Sequence, residues 1–142
     1  HVAGLSVSRR SLDEPPEDTQ VYVADTLGEM PLWYHLAGRV FIGGTLTNRG
    51  GHTPYEPAVF GCALIHGPDV ANFKAPFARL AKAQAAVCVT DPASLAQALI
   101  RLASPQTQAK DGAAAALALQ QDSDLDGLLR PVLAHLQSPK AS

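Results

Sequence analysis

Short apolar runs alternate with longer amphipathic ones along this chain, and Gly, Pro, Asp and Ser fall between them. Leu5-Ser6-Val7 is a weak strand candidate, followed by a polar loop over 9–20 that is rich in Pro and acids. Residues 21–24, 40–42, 63–65 and 86–89 read as strands, almost continuously apolar, the pattern of strands covered on both faces. The spacing predicts helices over 28–37, 56–60 and 73–83. In the first, Leu32, Tyr34, Leu36 and Ala37 form the candidate buried side; in the third, Phe73, Phe77 and Leu80 recur at helical spacing. Asp91-Pro92 places a cap residue before Pro at N1 and opens a helix to about residue 103. Helices over about 105–121 and 125–137 complete the pattern, with Pro131 kinking or restarting the last one.

Strands alternating with helices imply βαβ units, a parallel sheet and right-handed crossovers. The expected fold is therefore α/β, a Rossmann-like parallel sheet with flanking helices. In such a sheet the loops after the strands share the carboxyl edge, where ligands bind. Those loops here carry Asp25-Thr26, a glycine-rich stretch from Gly43, His66-Gly67-Pro68 and Thr90-Asp91.

Composition narrows the reading. A length of 142 residues fits one domain, and 46% hydrophobic content allows a real core. A net charge of -2 gives no nucleic-acid footprint. Cys62 and Cys88 both lie in apolar runs and read as buried, reduced thiols. No apolar run is long enough to span a membrane, and no basic segment precedes an apolar one as in a signal peptide. The chain does not start with Met, and His1-Val2-Ala3-Gly4 reads as the end of a helix running into a strand, which points to a fragment or processed product.

The densest chemistry is Gly43-Gly44-Thr45-Leu46-Thr47-Asn48-Arg49-Gly50-Gly51-His52-Thr53-Pro54-Tyr55-Glu56-Pro57. Glycine lets a backbone take positive φ and approach a ligand closely, and a helix N-terminus offers free N–H groups to an anion. Four glycines between Gly43 and Gly51 exceed the need of a single turn, which favours a ligand role. Arg49 reads more simply as a solvated side chain than as a phosphate contact. His52 reads equally as a buried loop histidine or as a donor to phosphate or carboxylate. Thr53-Pro54 reads as N-cap and N1. Glu56 has the wrong sign for phosphate; it suits hydroxyls such as those of a ribose, although a helix dipole also accounts for part of it.

Asp25-Thr26-Leu27-Gly28-Glu29-Met30 supports two compatible readings, a helix cap and a second ligand-facing loop. Arg9-Arg10 is either a solvated pair or an anion clamp. Asn72 most simply caps a helix. No Cys/His spacing fits zinc, no acid cluster fits magnesium or calcium, and no P-loop or Gly-x-Ser-x-Gly motif is present. No cofactor is expected.

Taken in order, Val7-Ser8-Arg9-Arg10-Ser11, Val23-Ala24-Asp25-Thr26-Leu27-Gly28-Glu29-Met30, Phe41-Ile42-Gly43-Gly44-Thr45-Leu46, Gly50-Gly51-His52-Thr53-Pro54-Tyr55-Glu56-Pro57 and His66-Gly67-Pro68-Asp69-Val70-Ala71-Asn72-Phe73 resemble successive blocks of the Kdo transferases. The resemblance covers roughly residues 4–103. It implies a two-domain glycosyltransferase of GT-B type that moves 3-deoxy-D-manno-octulosonic acid from CMP-Kdo onto lipid A precursor. On that basis residues 1–142 are a partial C-terminal, nucleotide-sugar-binding half with a helical tail over about 105–137. Arg10, Gly28, Glu29 and Met30 are implied to lie around the nucleotide, with Gly50, Gly51, His52, Thr53 and Glu56 meeting the donor. Thr53 stands where Asn is usual in the family, and Met30 where Leu is common. The implied catalytic base and acceptor surface belong to the N-terminal half, as does any membrane anchor. The implied setting is the cytoplasmic face of the bacterial inner membrane, with a soluble fragment that is inactive alone. The alternatives are another GT-B nucleotide-sugar transferase or epimerase, or a non-catalytic binding module of the same fold.

Overall fold

A computed structural model describes residues 4–120. The helix expected over 125–137, with its Pro131 break, lies outside the described residues. The elements run β1 (Val7–Arg9), a 3-10 turn (Arg10–Leu12), β2 (Val21–Val23), α1 (Met30–Leu36), β3 (Arg39–Phe41) and α2 (Tyr55–Val59). They continue with β4 (Ala63–His66), a 3-10 turn (Ala71–Phe73), α3 (Lys74–Lys82), β5 (Ala86–Cys88), α4 (Pro92–Arg101) and α5 (Pro105–Gln120). All strand pairings are parallel: β1 with β2, and β3–β4–β5 in that order with β4 central.

Alternation along β4 sorts the core into two layers. Leu64 joins Ile42, Phe77, Leu80, Ala115 and Leu119 on one face, under α2, α3 and α5. Ala63 and Ile65 join Val89, Ala98 and Leu102 on the other, under α4. The continuously apolar run of β4 is thereby explained, since all four of its residues are buried. Helix α5 closes on β4 so tightly that Gly112 packs against the turn at Gly61. The capping box at Asp91, with Pro92 at N1, starts α4 as its sequence implies.

Several local expectations need correction. Helix α1 starts at Met30 rather than at Gly28, because Gly28 sits at φ +83, outside helical space. Of its expected buried side, Tyr34 and Ala37 pack on the core, while Leu32 and Leu36, one turn apart, stay exposed. Cys62 is buried, but Cys88, at the end of outer strand β5, is exposed. Pro54, not Thr53, occupies the N-cap of α2; the Thr53 hydroxyl accepts from Tyr55 N at 3.4 Å.

Candidate functional site

A cleft of about 360 Å³ opens at the carboxyl end of β3. Its walls come from α1 (Met30, Tyr34), from β3 and the residues just after it (Val40, Phe41, Ile42, Gly43), and from the segment entering α2 (His52, Thr53, Glu56). Side chains of a strand alternate between faces, so three consecutive lining residues put the cleft beside β3, in the plane of its sheet. The lining combines apolar side chains with an imidazole, two hydroxyls and a carboxylate. Tyr34 lies close enough to Glu56 that the carboxylate adds to burial in raising the phenol pKa.

Of the residues singled out in the sequence, Met30, His52, Thr53 and Glu56 meet at this cleft. Arg10, Gly28 and Glu29 are not among its lining residues, and neither are Gly50 and Gly51. Arg10 donates to both carboxylate oxygens of Glu29 (2.9–3.2 Å), and Thr26 closes the same network by a hydrogen bond to Glu29. These partners hold the Glu29 carboxyl below its ordinary range, Arg10 foremost. Arg9 is likewise engaged, donating to Asp25 at 2.6 and 3.0 Å. The Asp25 carboxylate also accepts from Ser11 N (2.9 Å) and the Ser11 hydroxyl (2.8 Å), and its pKa is lowered to about 2, by Ser11 first and then Arg9. Neither Asp25 nor Thr26 caps α1, whose N-cap is Glu29; Asp25 bonds Arg9 and Ser11, and Thr26 bonds Glu29.

The glycine-rich loop owes its shape to the loop after β4. Gly50 and Gly51 take φ of +77 and +73, a region where side chains are strained. The Gly50 N–H donates to the Asp69 carboxylate at 2.7 Å, so this amide is already committed within the protein. Asn72 caps nothing; its Nδ2 donates to the carbonyls of Arg49 (3.0 Å) and Gly51 (3.2 Å). Beneath them Thr45 is fully buried, its hydroxyl donating to Ile42 O (2.6 Å) and accepting from Gly67 N (2.7 Å). His66 is buried against Phe77, and burial lowers its pKa. Its Nδ1 bonds the Gly67 carbonyl at 2.6 Å, which assigns the ring proton to Nδ1 because a carbonyl only accepts.

Sequence reasoning missed Tyr34, Val40 and Phe41 as walls of the cleft, and Thr45 and Asp69 as supports of the loop. The strand and helix residues carried only a core signal. Asp69, just after Gly67-Pro68, was visible in a turn but had no marker of its partner.

The parallel strands, their flanking helices and a cleft at the carboxyl edge define the class, a Rossmann-like α/β domain with a cleft where such domains bind ligands. No family model matches the chain. It is 40% identical over 86 residues to the 3-deoxy-D-manno-octulosonic acid transferase of Haemophilus influenzae, covering 60% of this chain and 20% of that protein. The transferase of Bordetella pertussis is 40% identical over 74 residues, covering 51% of this chain and 17% of its own length. A probable mitochondrial counterpart from Arabidopsis thaliana is 42% identical over 73 residues, 49% of this chain and 16% of the relative. The chain thus spans about a fifth or less of the curated relatives it matches. Among solved structures, the C-terminal CMP-Kdo binding domain of WaaA from Acinetobacter baumannii matches with TM-score 0.76 and 32% identity. That match covers 82% of this chain and 62% of the solved one. The resemblance to the Kdo transferases read in the sequence is borne out by these homologues and by the fold of that domain.

Proposed function

We propose that this chain is the donor-binding, C-terminal part of a Kdo transferase of GT-B type, and that CMP-Kdo is held in the cleft beside β3. The observation that carries this reading is the likeness, at TM-score 0.76 and 32% identity, to a solved CMP-Kdo binding domain. The position of the cleft supports it, because Met30, His52, Thr53 and Glu56 line the same opening. Glu56 accepts hydrogen bonds from ribose hydroxyls, His52 and Thr53 meet the phosphate and sugar side, and Met30 packs on the base. Gly50 and Gly51 take part as the backbone that delivers His52, while Arg10, Gly28 and Glu29 border the nucleotide from the β1 and β2 side. In transfer an acceptor hydroxyl oxygen bonds the sugar carbon and gives its proton to a base elsewhere in the full enzyme, while the bond from that carbon to the phosphate oxygen breaks and CMP leaves with its charge stabilised by preorganised donors. The acid–base residue, the lipid A precursor acceptor and membrane attachment at the cytoplasmic face belong to other parts of the full enzyme.

Calorimetric titration with CMP, UDP and GDP tests the donor assignment; CMP is expected to bind in preference. Glu56→Ala should weaken CMP binding by about 1–3 kcal/mol, the cost of losing hydrogen bonds to a charged group. An unchanged dissociation constant in a folded variant removes Glu56 from the site. Equal affinity for the three nucleotides removes the donor assignment.

A further inference from the structure

The loop from Gly43 to Pro54 reaches the cleft at its two ends, through Gly43 and through His52 and Thr53. Its middle faces away and is gripped by the loop that follows β4. Asn72 uses both its donors on it: the side-chain amide on the carbonyls of Arg49 and Gly51, and the backbone N–H on Gly50 O at 3.0 Å. Asp69 holds the same loop at Gly50 and at Thr45. Its carboxylate takes the Gly50 N–H, and its own N–H donates to Thr45 O at 3.0 Å. The packing leaves no slack. A Cβ on Gly50 would lie 2.5 Å from the Asn72 amide, and one on Gly51 would lie 2.7 Å from Thr45 Cγ2 and 3.0 Å from Asp69 O. The next residue is His52, whose N–H returns to Gly43 O at 3.1 Å and closes the loop across the mouth of the cleft.

We propose that Asn72 and Asp69 are positioning residues for the donor site, acting through Gly50 and Gly51 to fix where His52 and Thr53 meet the ligand; this rests on the donor-binding reading above. Neither residue is among those lining the cleft. Their chemistry is matched to the backbone atoms they hold. Carbonyls only accept, so the Asn72 position requires a donor; an N–H only donates, so the Asp69 position requires an acceptor. The Asp69 carboxylate also occupies the amide that a glycine loop would otherwise turn toward a ligand anion. The Gly50 and His52 amides are therefore bonded within the protein rather than offered to the donor.

Asn72→Asp is the sharpest test, because it keeps shape and the backbone N–H to Gly50 O, removes the side-chain donor, and places a negative charge against two carbonyls. Asn72 is exposed, so the fold is expected to survive, which thermal unfolding verifies. With an unchanged melting temperature, CMP affinity should fall at least 10-fold, and Asp69→Ala should do the same. Affinity like that of the parent protein in both variants overturns the proposal. If the parent protein itself binds no CMP, the donor reading fails on its own terms, and amide exchange then decides the positioning role. Exchange at Gly50 and His52 should accelerate in Asn72→Asp while the β4 amides stay protected. Unchanged protection at Gly50 and His52 overturns it.

Discussion

Gly112 sets two well-calibrated effects against each other. In an exposed helix interior, Gly→Ala stabilises by about 1 kcal/mol, because alanine loses less backbone freedom on folding. Gly112 lies inside α5 but is buried against the turn that follows α2. A Cβ there would sit 1.8 Å from the Gly61 carbonyl oxygen, 2.6 Å from its carbon and 3.2 Å from the Cys62 carbonyl carbon. These are backbone atoms, so no rotamer change relieves the clash. Reaching ordinary contact at 3.4 Å requires the helix or the turn to move about 1.6 Å. Either motion opens the packing of α5 on β4 and α2, and overpacking of this kind costs about 1–3 kcal/mol. The backbone clash puts Gly112→Ala at the upper end of that range, so after the helix gain the net loss should be about 1–2 kcal/mol. The assay is equilibrium denaturant unfolding, with Ala113→Gly as the companion variant. Ala113 is exposed in the same helix and isolates the propensity effect, with an expected loss of about 1 kcal/mol. A Gly112→Ala protein as stable as the parent, or more stable, refutes the steric argument.

Two further perturbations probe the core and the charge networks. Leu80 is fully buried between α3 and the sheet, so Leu80→Ala should cost about 2–5 kcal/mol, read from the shift in denaturant midpoint. Acid should destabilise the protein in two windows. The His66 pKa is lowered by burial, so the unfolded chain binds that proton more readily, and stability should decline as pH falls below about 6.5 toward the folded value. Asp25 is held at about 2 against about 3.9 in an unfolded chain, so its contribution is present above pH 4 and lost between about 4 and 2. Melting temperatures across pH for the parent and Asp25→Asn check the second window, which should flatten in the variant.

The strands and the helices that carry the core were legible because β4, α3 and α4 obey simple periodicities. Ala63 to Ile65 is apolar throughout and, with His66, buried throughout, and Asp91-Pro92 caps α4 as its residues dictate. The glycine-rich stretch was legible as a candidate site through its composition, and His52 and Glu56 do reach a cleft. What the sequence hid were long-range polar partners. Asn72 resembles a cap locally, yet its amide is committed to carbonyls 21 and 23 residues away. Asp25 and Thr26 likewise look like caps until Ser11 and Glu29 claim their oxygens. The exposure of Leu32 and Leu36 was hidden for the complementary reason: periodicity defines a face but not what packs against it.

The cleft beside β3 also lies along a border of the sheet that no described strand covers. Among the described residues β3 pairs with β4 alone and β1 with β2 alone, so each has a border with no strand against it. Gly38 O and Ile42 N bond toward β4, and by the alternation of a parallel ladder the peptide groups of Arg39 and Phe41 point the other way. Exposed borders of this kind are templates for another strand, and proteins commonly guard them with an outward charge. Arg39 is the local candidate for that guard, but its guanidinium is drawn to Leu102 O at 2.7 Å. The border of β3 beside the cleft is therefore left, among the described residues, without the outward charge that commonly guards such an edge.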